Sequence, residues 1–214
     1  MKRNMTTILL FVVLFVGLAL LLYPSVSDFY NSFHQSRAVA TYNTAVEQES
    51  KKDYEADWAA ANAYNEKLRA QSTVDRLIMT DEEREEYDAV MNVGGSGIIG
   101  VIEIPQIAVT LPLYHSTNAN VLEVAVGLPT GEPGTHSAFS AHRGLPSAKL
   151  FTNLDQLTYG DTFTLRVLDK VLTYEIDQIL IVEPHDVSAL QIYDGMDLCT
   201  LVTCTPYGIN SPRL

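Results

Sequence analysis

The sequence has few basic residues and no tract in which they cluster. It contains 14 Lys and Arg against 26 Asp and Glu, a net charge of −12. Binding to nucleic acid requires clustered cations that neutralise phosphates, so this function class is excluded. Repeats and low-complexity tracts are absent, and 47% hydrophobic residues argue against a disordered chain. The histidines and acidic residues show no metal-ligand spacing, so we expect neither a metal nor another cofactor.

Cysteine is also scarce, with only Cys199 and Cys204 in the chain. Both lie in an apolar segment, residues 198–204, that predicts a strand. An odd spacing on a strand points the two side chains to opposite faces, and the extended chain between them is too long for a disulfide. Unpaired thiols are unusual in exported proteins. If the chain is exported, we expect at least one of them to be kept for its chemistry.

The N-terminus carries the one long apolar run. Lys2 and Arg3 precede an uninterrupted apolar stretch at residues 8–22. A helix over residues 6–23 would span about 27 Å, close to the hydrocarbon thickness of a bilayer. The positive residues should stay cytoplasmic, which places the rest of the chain outside. A cleaved signal peptide is the alternative, but the run is long and residues 24–28 form no clean cleavage site. Either interpretation exports the domain, and we favour a retained anchor.

Helical patterns follow the anchor. Residues 31–71 show apolar stripes at helical spacing, interrupted at residues 50–53, where Asp53 is a plausible N-cap. The stripes comprise Val39, Tyr42 and Val46, then Tyr54, Trp58, Ala61 and Leu68. We expect them to pack against the domain; a partner-binding face is the alternative. Thr80 and Glu83 form a capping box that predicts a second helix ending near Met91.

From residue 98 the pattern changes to short β-branched runs separated by Pro and Gly, which is typical of an all-β barrel or sandwich. A tight hairpin is predicted at Asp169 and Lys170. We therefore divide the chain into an anchor at residues 1–30, a helical extension at 31–93 and a β-domain at 94–214. The predicted strands cover residues 98–104, 109–114, 136–142, 162–168, 171–182 and 198–204.

Cys204 ends its strand and precedes a turn-rich segment, where a substrate could reach its thiol. A cysteine nucleophile needs a nearby imidazolium or guanidinium to stabilise the thiolate. Of five histidines, His142 is the one that closes a strand much as Cys204 does. Arg213 follows nine residues after Cys204, and a hairpin could return it to stabilise an oxyanion. Taken singly, each residue has a plainer interpretation as a buried thiol, a structural histidine or a surface cation, and mid-strand Cys199 predicts a buried hydrophobe.

Several motifs together resemble the sortase family, and most closely its pilus-assembling class C. Residues 200–204 match the signature Thr-Leu-x-Thr-Cys, with an arginine at about the family distance. Residues 142–146 with 149–151 are similar to the class C histidine segment. Residues 205–210, 100–105 and 111–115 also resemble that class. The resemblance covers almost the whole chain after the anchor.

The resemblance implies a closed eight-stranded β-barrel with Cys, His and Arg at one end. By carry-over, Cys204 attacks the Thr–Gly bond of a Leu-Pro-x-Thr-Gly-like sorting signal and forms a thioacyl-enzyme. His142 would be the acid and base, and Arg213 would position substrate and stabilise the oxyanion. Substrate contacts are expected from Leu201, Thr203 and Tyr207. A pilin lysine would resolve the thioester, so the implied partners are pilins or surface proteins with sorting signals, at the outer face of the membrane.

The chain departs from the class pattern in three places. The Asp-Pro-aromatic lid motif is missing between Leu68 and Gly94, where Asp75-Arg76-Leu77 is a faint echo, so we expect an open or differently covered site. The chain stops one residue after Arg213, so we expect the last strand to be truncated. Ser140 and Ala141 replace the common Thr-Gly before His142, a mild change.

Two other functions remain open at this point. The same three residues would serve a sortase that attaches surface proteins to peptidoglycan. A catalytically silent, membrane-tethered binding module is the alternative from another class, and the presence of all three residues argues against it. A papain-like hydrolase fits less well, because its cysteine begins a helix. The sequence leaves the oligomeric state open.

Overall fold

The computed structural model describes residues 2–48, 51–76, 79–115, 123–124, 127–145, 148–206 and 213–214. Helices precede a β-domain, in the chain order that the sequence predicts. The helices are α1 (Lys2–Gln48), α2 (Lys51–Arg69), α3 (Thr73–Arg76) and α4 (Asp81–Ala89). The strands are β1 (Ile98–Ile104), β2 (Val109–Tyr114), β3 (Glu123–Val124), β4 (Thr135–Ser140), β5 (Thr162–Val167), β6 (Lys170–Glu175) and β7 (Asp197–Val202).

The first part of α1 is exposed throughout, from Met5 to Val26. Among the described residues this is the one helix that is long and apolar enough to cross a membrane, judged by length and composition alone. Pro24 lies inside the helix. The second half of α1 packs on the β-domain through a stripe that includes the fully buried Tyr42.

The predicted break at residues 50–53 falls partly outside the described residues, which include α1 to Gln48 and α2 from Lys51. Asp53 lies inside α2, so it is not the N-cap.

The aromatic stripes are core residues rather than a free partner surface. The Tyr42 hydroxyl donates to the carbonyl of Ile99 at 3.0 Å and accepts from the amide of Leu168 at 2.9 Å. The Trp58 indole donates to Asp169 at 2.9 Å. These buried hydrogen bonds join α1 and α2 to β1 and to the β5–β6 turn, which confirms the predicted packing.

The capping box of α4 is confirmed: the Glu83 amide donates to the Thr80 hydroxyl at 3.2 Å, and the Thr80 amide donates to the Glu83 carboxylate at 2.9 Å. The helix ends at Ala89, two residues before the predicted Met91. Val90 is extended and Met91 adopts a φ of 58°, which turns the fully buried Met91 side chain into the core.

The strands form two sheets, with orders β2-β1-β5-β6 and β3-β4-β7. All pairs are antiparallel except β4 with β7, which is parallel. The core lies between the sheets and under α1 and α2. The predicted bounds of β1 and β2 are confirmed, and those of β4, β5 and β7 are right to within two residues at each end. The β5–β6 turn lies at Leu168 and Asp169, one residue before the predicted hairpin.

The expectation of a closed eight-stranded barrel is corrected, since the described residues form seven strands whose two sheets do not close. The predicted strand 171–182 ends at Glu175. The Ile176 amide donates to the Asp161 carbonyl and the Ile176 carbonyl accepts from the Gly160 amide, so the pairing continues as far as Ile176. The opposite segment turns at residues 158–161 and therefore provides no partner strand for the residues that follow. The following apolar residues Ile179, Leu180 and Ile181 are exposed instead of paired in a sheet.

Candidate active site

The parallel pairing of β4 with β7 brings the predicted histidine and cysteine to the same edge of the sheet. Ser140 lies opposite Val202 at the end of this register. The alignment continues one residue further, because the Ala141 amide donates to the Val202 carbonyl at 3.1 Å. His142 and Cys204 follow directly, two residues beyond their strands. Adjacent parallel strands end at the same edge of a sheet, so the two residues lie on neighbouring chain segments there.

Thr203 holds these two segments together. Its side chain is 2% exposed, and its hydroxyl donates to the Ala141 carbonyl at 2.9 Å. The bond joins the residue before Cys204 to the residue before His142. The contact places Thr203 inside the protein, so its predicted contact with substrate remains a prediction without support from this geometry.

Arg213 lies against the cysteine. Its backbone pairs with Val182 on one side, at 2.8 and 2.9 Å, and forms an antiparallel bridge with Cys204 on the other. Thr203 and Leu214 exchange two further backbone hydrogen bonds, at 2.9 and 2.8 Å. The Arg213 Nη1 atom donates to the Cys204 Sγ atom at 3.4 Å. The structure thus brings a guanidinium to the thiol. Residues 207–212, where the sequence predicts the returning hairpin, lie outside the described residues.

His142 is exposed and begins a loop that a backbone hydrogen bond closes at Phe151. The Phe151 amide donates to the His142 carbonyl at 3.3 Å. The adjacent Arg143, whose side chain is only 9% exposed, donates to the Thr152 carbonyl at 3.1 Å and pairs with Asp155. It also donates to the hydroxyl of Thr205, the residue after Cys204, at 3.3 Å.

Arg143 therefore connects the histidine loop to the cysteine loop, a role that sequence reasoning missed. The position of Arg143 next to a predicted catalytic histidine was the one available signal for this role. The sequence could not show its partners, because Thr205 lies 62 positions away.

Cys199 and the histidines His34, His115 and His136 lie outside the candidate site and pack against other parts of the protein. Both cysteines are free, but burial raises the pKa of the Cys199 thiol. His136 is buried between the Gln191 carbonyl and the Thr200 hydroxyl, at 2.7 and 2.8 Å, and burial lowers its pKa. His115 is buried edge-on against the Tyr87 ring, and burial lowers its pKa as well. His34 lies on α1 against Tyr30.

Leu201 and Tyr207 are the other two residues predicted to contact substrate. Leu201 is half-buried and packs against the core from β7. Tyr207 lies outside the described residues.

A groove of about 500 Å³ lies between α3 and the segment that follows Val182. Its wall begins at Glu183, one residue from the pairing of Val182 with Arg213. The other wall is formed by α3, a one-turn helix that the sequence did not predict. It overlaps the residues that faintly resemble the class C lid motif. The groove is lined by Ser72, Thr73, Val74, Glu183, His185, Asp186, Val187, Ser188 and Gln191.

Comparison with known proteins identifies the family. The sortase-domain family model matches residues 102–214, more than half of the chain. The chain belongs to the sortase family. Its members are cysteine transpeptidases, which agrees with the cysteine, histidine and arginine at one sheet edge. The N-terminal helices precede the matched region.

Solved structures of class C sortases are similar to this sortase over most of its length. Sortase C1 from Streptococcus agalactiae is 39% identical with a TM-score of 0.77, over 83% of this chain and 94% of that one. Sortase C from Streptococcus pneumoniae, whose study concerns catalysis and pilin substrate specificity, is 37% identical with a TM-score of 0.71, over 83% and 92%. Sortase C from Clostridium perfringens, solved with the C-terminal cell wall sorting motif, is 33% identical with a TM-score of 0.69, over 83% and 94%.

Among curated proteins, Sortase D from Bacillus subtilis (strain 168) is 29% identical over 120 residues. That match covers 53% of this chain and 59% of the length of the relative.

Proposed function

We propose that this sortase cleaves a Leu-Pro-x-Thr-Gly-like sorting signal and joins the released threonine carboxyl to a pilin lysine. The observation that carries the proposal is the contact of Arg213 Nη1 with Cys204 Sγ at 3.4 Å, on the strand end adjacent to that of His142. A thiol, a guanidinium and an imidazole at one exposed edge are what thioacyl transfer requires.

In the proposed reaction, the Cys204 thiolate attacks the threonine carbonyl and forms a tetrahedral oxyanion, to which Arg213 donates. The C–N bond to glycine breaks as His142 protonates the leaving amine, which leaves a thioester on Cys204. His142 then accepts a proton from the incoming lysine amine, and that amine attacks the thioester. The new amide bond forms as the thiolate departs, which returns Cys204 to its starting state.

The substrate class comes from the relatives. The Clostridium perfringens enzyme was solved with a cell wall sorting motif, and the Streptococcus pneumoniae enzyme is studied for pilin specificity. In this chain the groove whose wall includes Glu183, one residue after Val182, the backbone partner of Arg213, is a candidate binding place for the extended peptide. The apolar part of α1 supports a retained anchor that holds the domain at the outer membrane face.

The test uses the full chain in detergent micelles with a Leu-Pro-x-Thr-Gly peptide and a lysine-bearing pilin. Intact-mass spectrometry should show a thioacyl adduct that passes to the pilin lysine. Cys204→Ala should abolish the adduct, while the matched variant Cys199→Ala should keep it. Transfer only to peptidoglycan cross-bridge amines would replace pilus assembly with wall anchoring. The absence of any adduct would leave a binding module.

A further inference from the structure

The histidine loop contacts the anchor helix directly. The backbone amide of Lys149 donates to the Asp28 carboxylate at 3.1 Å, and the Lys149 ammonium lies 3.7 Å from the other carboxylate oxygen. Lys149 belongs to the loop that begins at His142 and closes at Phe151. Asp28 lies five residues after Tyr23, about 7.5 Å along the helix axis. The active-site edge therefore meets α1 within two turns of the end of its apolar run.

This contact is one end of a continuous packing surface. The exposed part of α1 ends at Val26, and shielded residues then recur on one side of the helix up to Val46. Their spacing of three and four residues gives a single stripe that faces the β-domain. The stripe comprises Asp28, Asn31, Gln35, Ala38, Val39, Tyr42, Ala45 and Val46.

The stripe sets the direction of the β-domain along α1. Tyr42 is bound to Ile99 and to Leu168 in the β5–β6 turn. Tyr42 lies about 21 Å beyond Asp28 along the helix. The β5–β6 turn is thus the end of the domain far from the apolar run, and the histidine loop is the near end.

The strength of this orientation comes from the buried stripe and not from the ion pair. The side chain of Lys149 is 79% exposed, so its ion pair with Asp28 is screened by solvent and contributes little to stability. Tyr42, in contrast, is fully buried with both hydrogen-bonding roles of its hydroxyl used. Pro24 lies only four residues before Asp28, so a bend there shifts the histidine loop little relative to the apolar run.

The outward face of the same turns carries aromatic side chains. Tyr23, Phe29, Tyr30 and Phe33 are between 58% and 75% exposed, directly after the apolar run. Tyrosine is enriched at the level of the lipid headgroups, so Tyr23 and Tyr30 suit that level. Asp28, and with it the loop that it contacts, lies at the same level along α1 as these aromatic side chains.

From these contacts we propose that the active-site edge of this sortase faces the lipid surface, with the His142 loop beside the headgroups and the β5–β6 turn pointing away. The proposal rests on the retained anchor in the proposed function. The partner is the bilayer itself, and the consequence is that a substrate must present its signal close to the membrane. The orientation is imposed by helix packing, since the net charge of −12 supplies no attraction to anionic lipid.

The experiment measures the height of two labelled sites above a bilayer. The full chain with Cys199→Ser and Cys204→Ala receives one new cysteine, either Gln156→Cys near the histidine loop or Glu132→Cys at the far end. Gln156 is exposed and adjacent to Asp155, the partner of Arg143, while Glu132 pairs with Lys170 beside the β5–β6 turn. A donor dye on each cysteine is paired with acceptor-labelled lipid in phosphatidylcholine vesicles, with and without phosphatidylglycerol.

We expect transfer several-fold more efficient from residue 156 than from residue 132, in both lipid compositions. Inserting seven helical residues between Tyr23 and Pro24 should lift both sites by about 10 Å and lower the transfer from residue 156. Equal transfer from both sites, or stronger transfer from residue 132, overturns the orientation. Failure of the chain to co-sediment with vesicles overturns the anchor and the orientation together. Neither result affects thioacyl formation on Cys204, which the peptide assay measures separately.

Discussion

The hydroxyl of Thr203 donates a hydrogen bond of 2.9 Å to the carbonyl of Ala141, across 62 positions of sequence. Each of the two residues directly precedes a proposed catalytic residue. The bond therefore aligns the ends of β4 and β7 at the point where Cys204 and His142 leave them.

Replacing Thr203 with valine should remove this alignment. Thr203→Val keeps the side-chain shape but leaves the buried Ala141 carbonyl without its donor, at a cost of about 1–2 kcal/mol in the free energy of unfolding. Urea unfolding measures this change, and kcat for thioester formation should fall with it. Thr203→Ser is the control, because it keeps the hydroxyl. Equal losses in both variants would mean that the methyl packing matters rather than the hydrogen bond.

The two free cysteines should differ in reactivity in the folded protein. Burial raises the pKa of the Cys199 thiol, whereas Cys204 lies 3.4 Å from a guanidinium. Iodoacetamide at neutral pH should therefore alkylate Cys204 well before Cys199, as measured by peptide mass spectrometry over time. In urea the difference should disappear. Comparable rates in the folded chain would contradict the proposed environment of the two thiols.

Removing the Arg213 guanidinium should lower turnover without unfolding the site. The Arg213 backbone pairs with Val182, so a change of side chain leaves this pairing in place. Arg213→Gln should lower kcat about 100- to 1,000-fold, the effect of losing one oxyanion donor. Arg213→Lys should recover part of the loss, because it restores the charge but not the planar fork. An unchanged thermal midpoint with unchanged kcat would remove Arg213 from the mechanism.

Acid should destabilise the protein through His115. Burial lowers its pKa in the folded state, so the unfolded chain binds the proton more readily. The stabilisation by neutral His115 is complete above its unfolded pKa of about 6.5 and is lost as the pH falls from there toward the folded pKa. His115→Phe keeps the ring against Tyr87 and cannot be protonated. Between pH 7.5 and pH 5.5 the variant should lose less unfolding free energy than the unmodified chain. Parallel losses would exclude His115 as the source.

Local signals in the sequence were enough for several elements. The capping box of Thr80 and Glu83 lies within one helical turn, so no distant contact is needed to interpret it. The bounds of β1 follow from a β-branched run between Gly97 and Pro105. The family signature around Cys204 is likewise a continuous stretch of residues, which is why the sequence identified the candidate site.

Other features depended on packing between distant segments. The predicted strand 171–182 ends at Glu175, because the segment opposite it turns at residues 158–161 and provides no partner for the residues after Ile176. The contacts of Arg143 with Thr205 and of Lys149 with Asp28 join residues far apart in the chain, so no local sequence pattern predicts them. Each contact depends on how the two sheets and α1 pack together, and that packing results from many weak interactions.

The sequence by itself determined the apolar N-terminal run, the helix start at Thr80, most strand positions and the family. Those features depend on periodicity, capping and motif residues that lie close together in the chain. Only the tertiary structure decided that the two sheets of the described residues do not close, that Arg213 contacts Cys204 and that the histidine loop contacts α1. Those relationships join segments far apart in sequence, and their geometry is set by the register of β4 on β7 and by the burial of Tyr42.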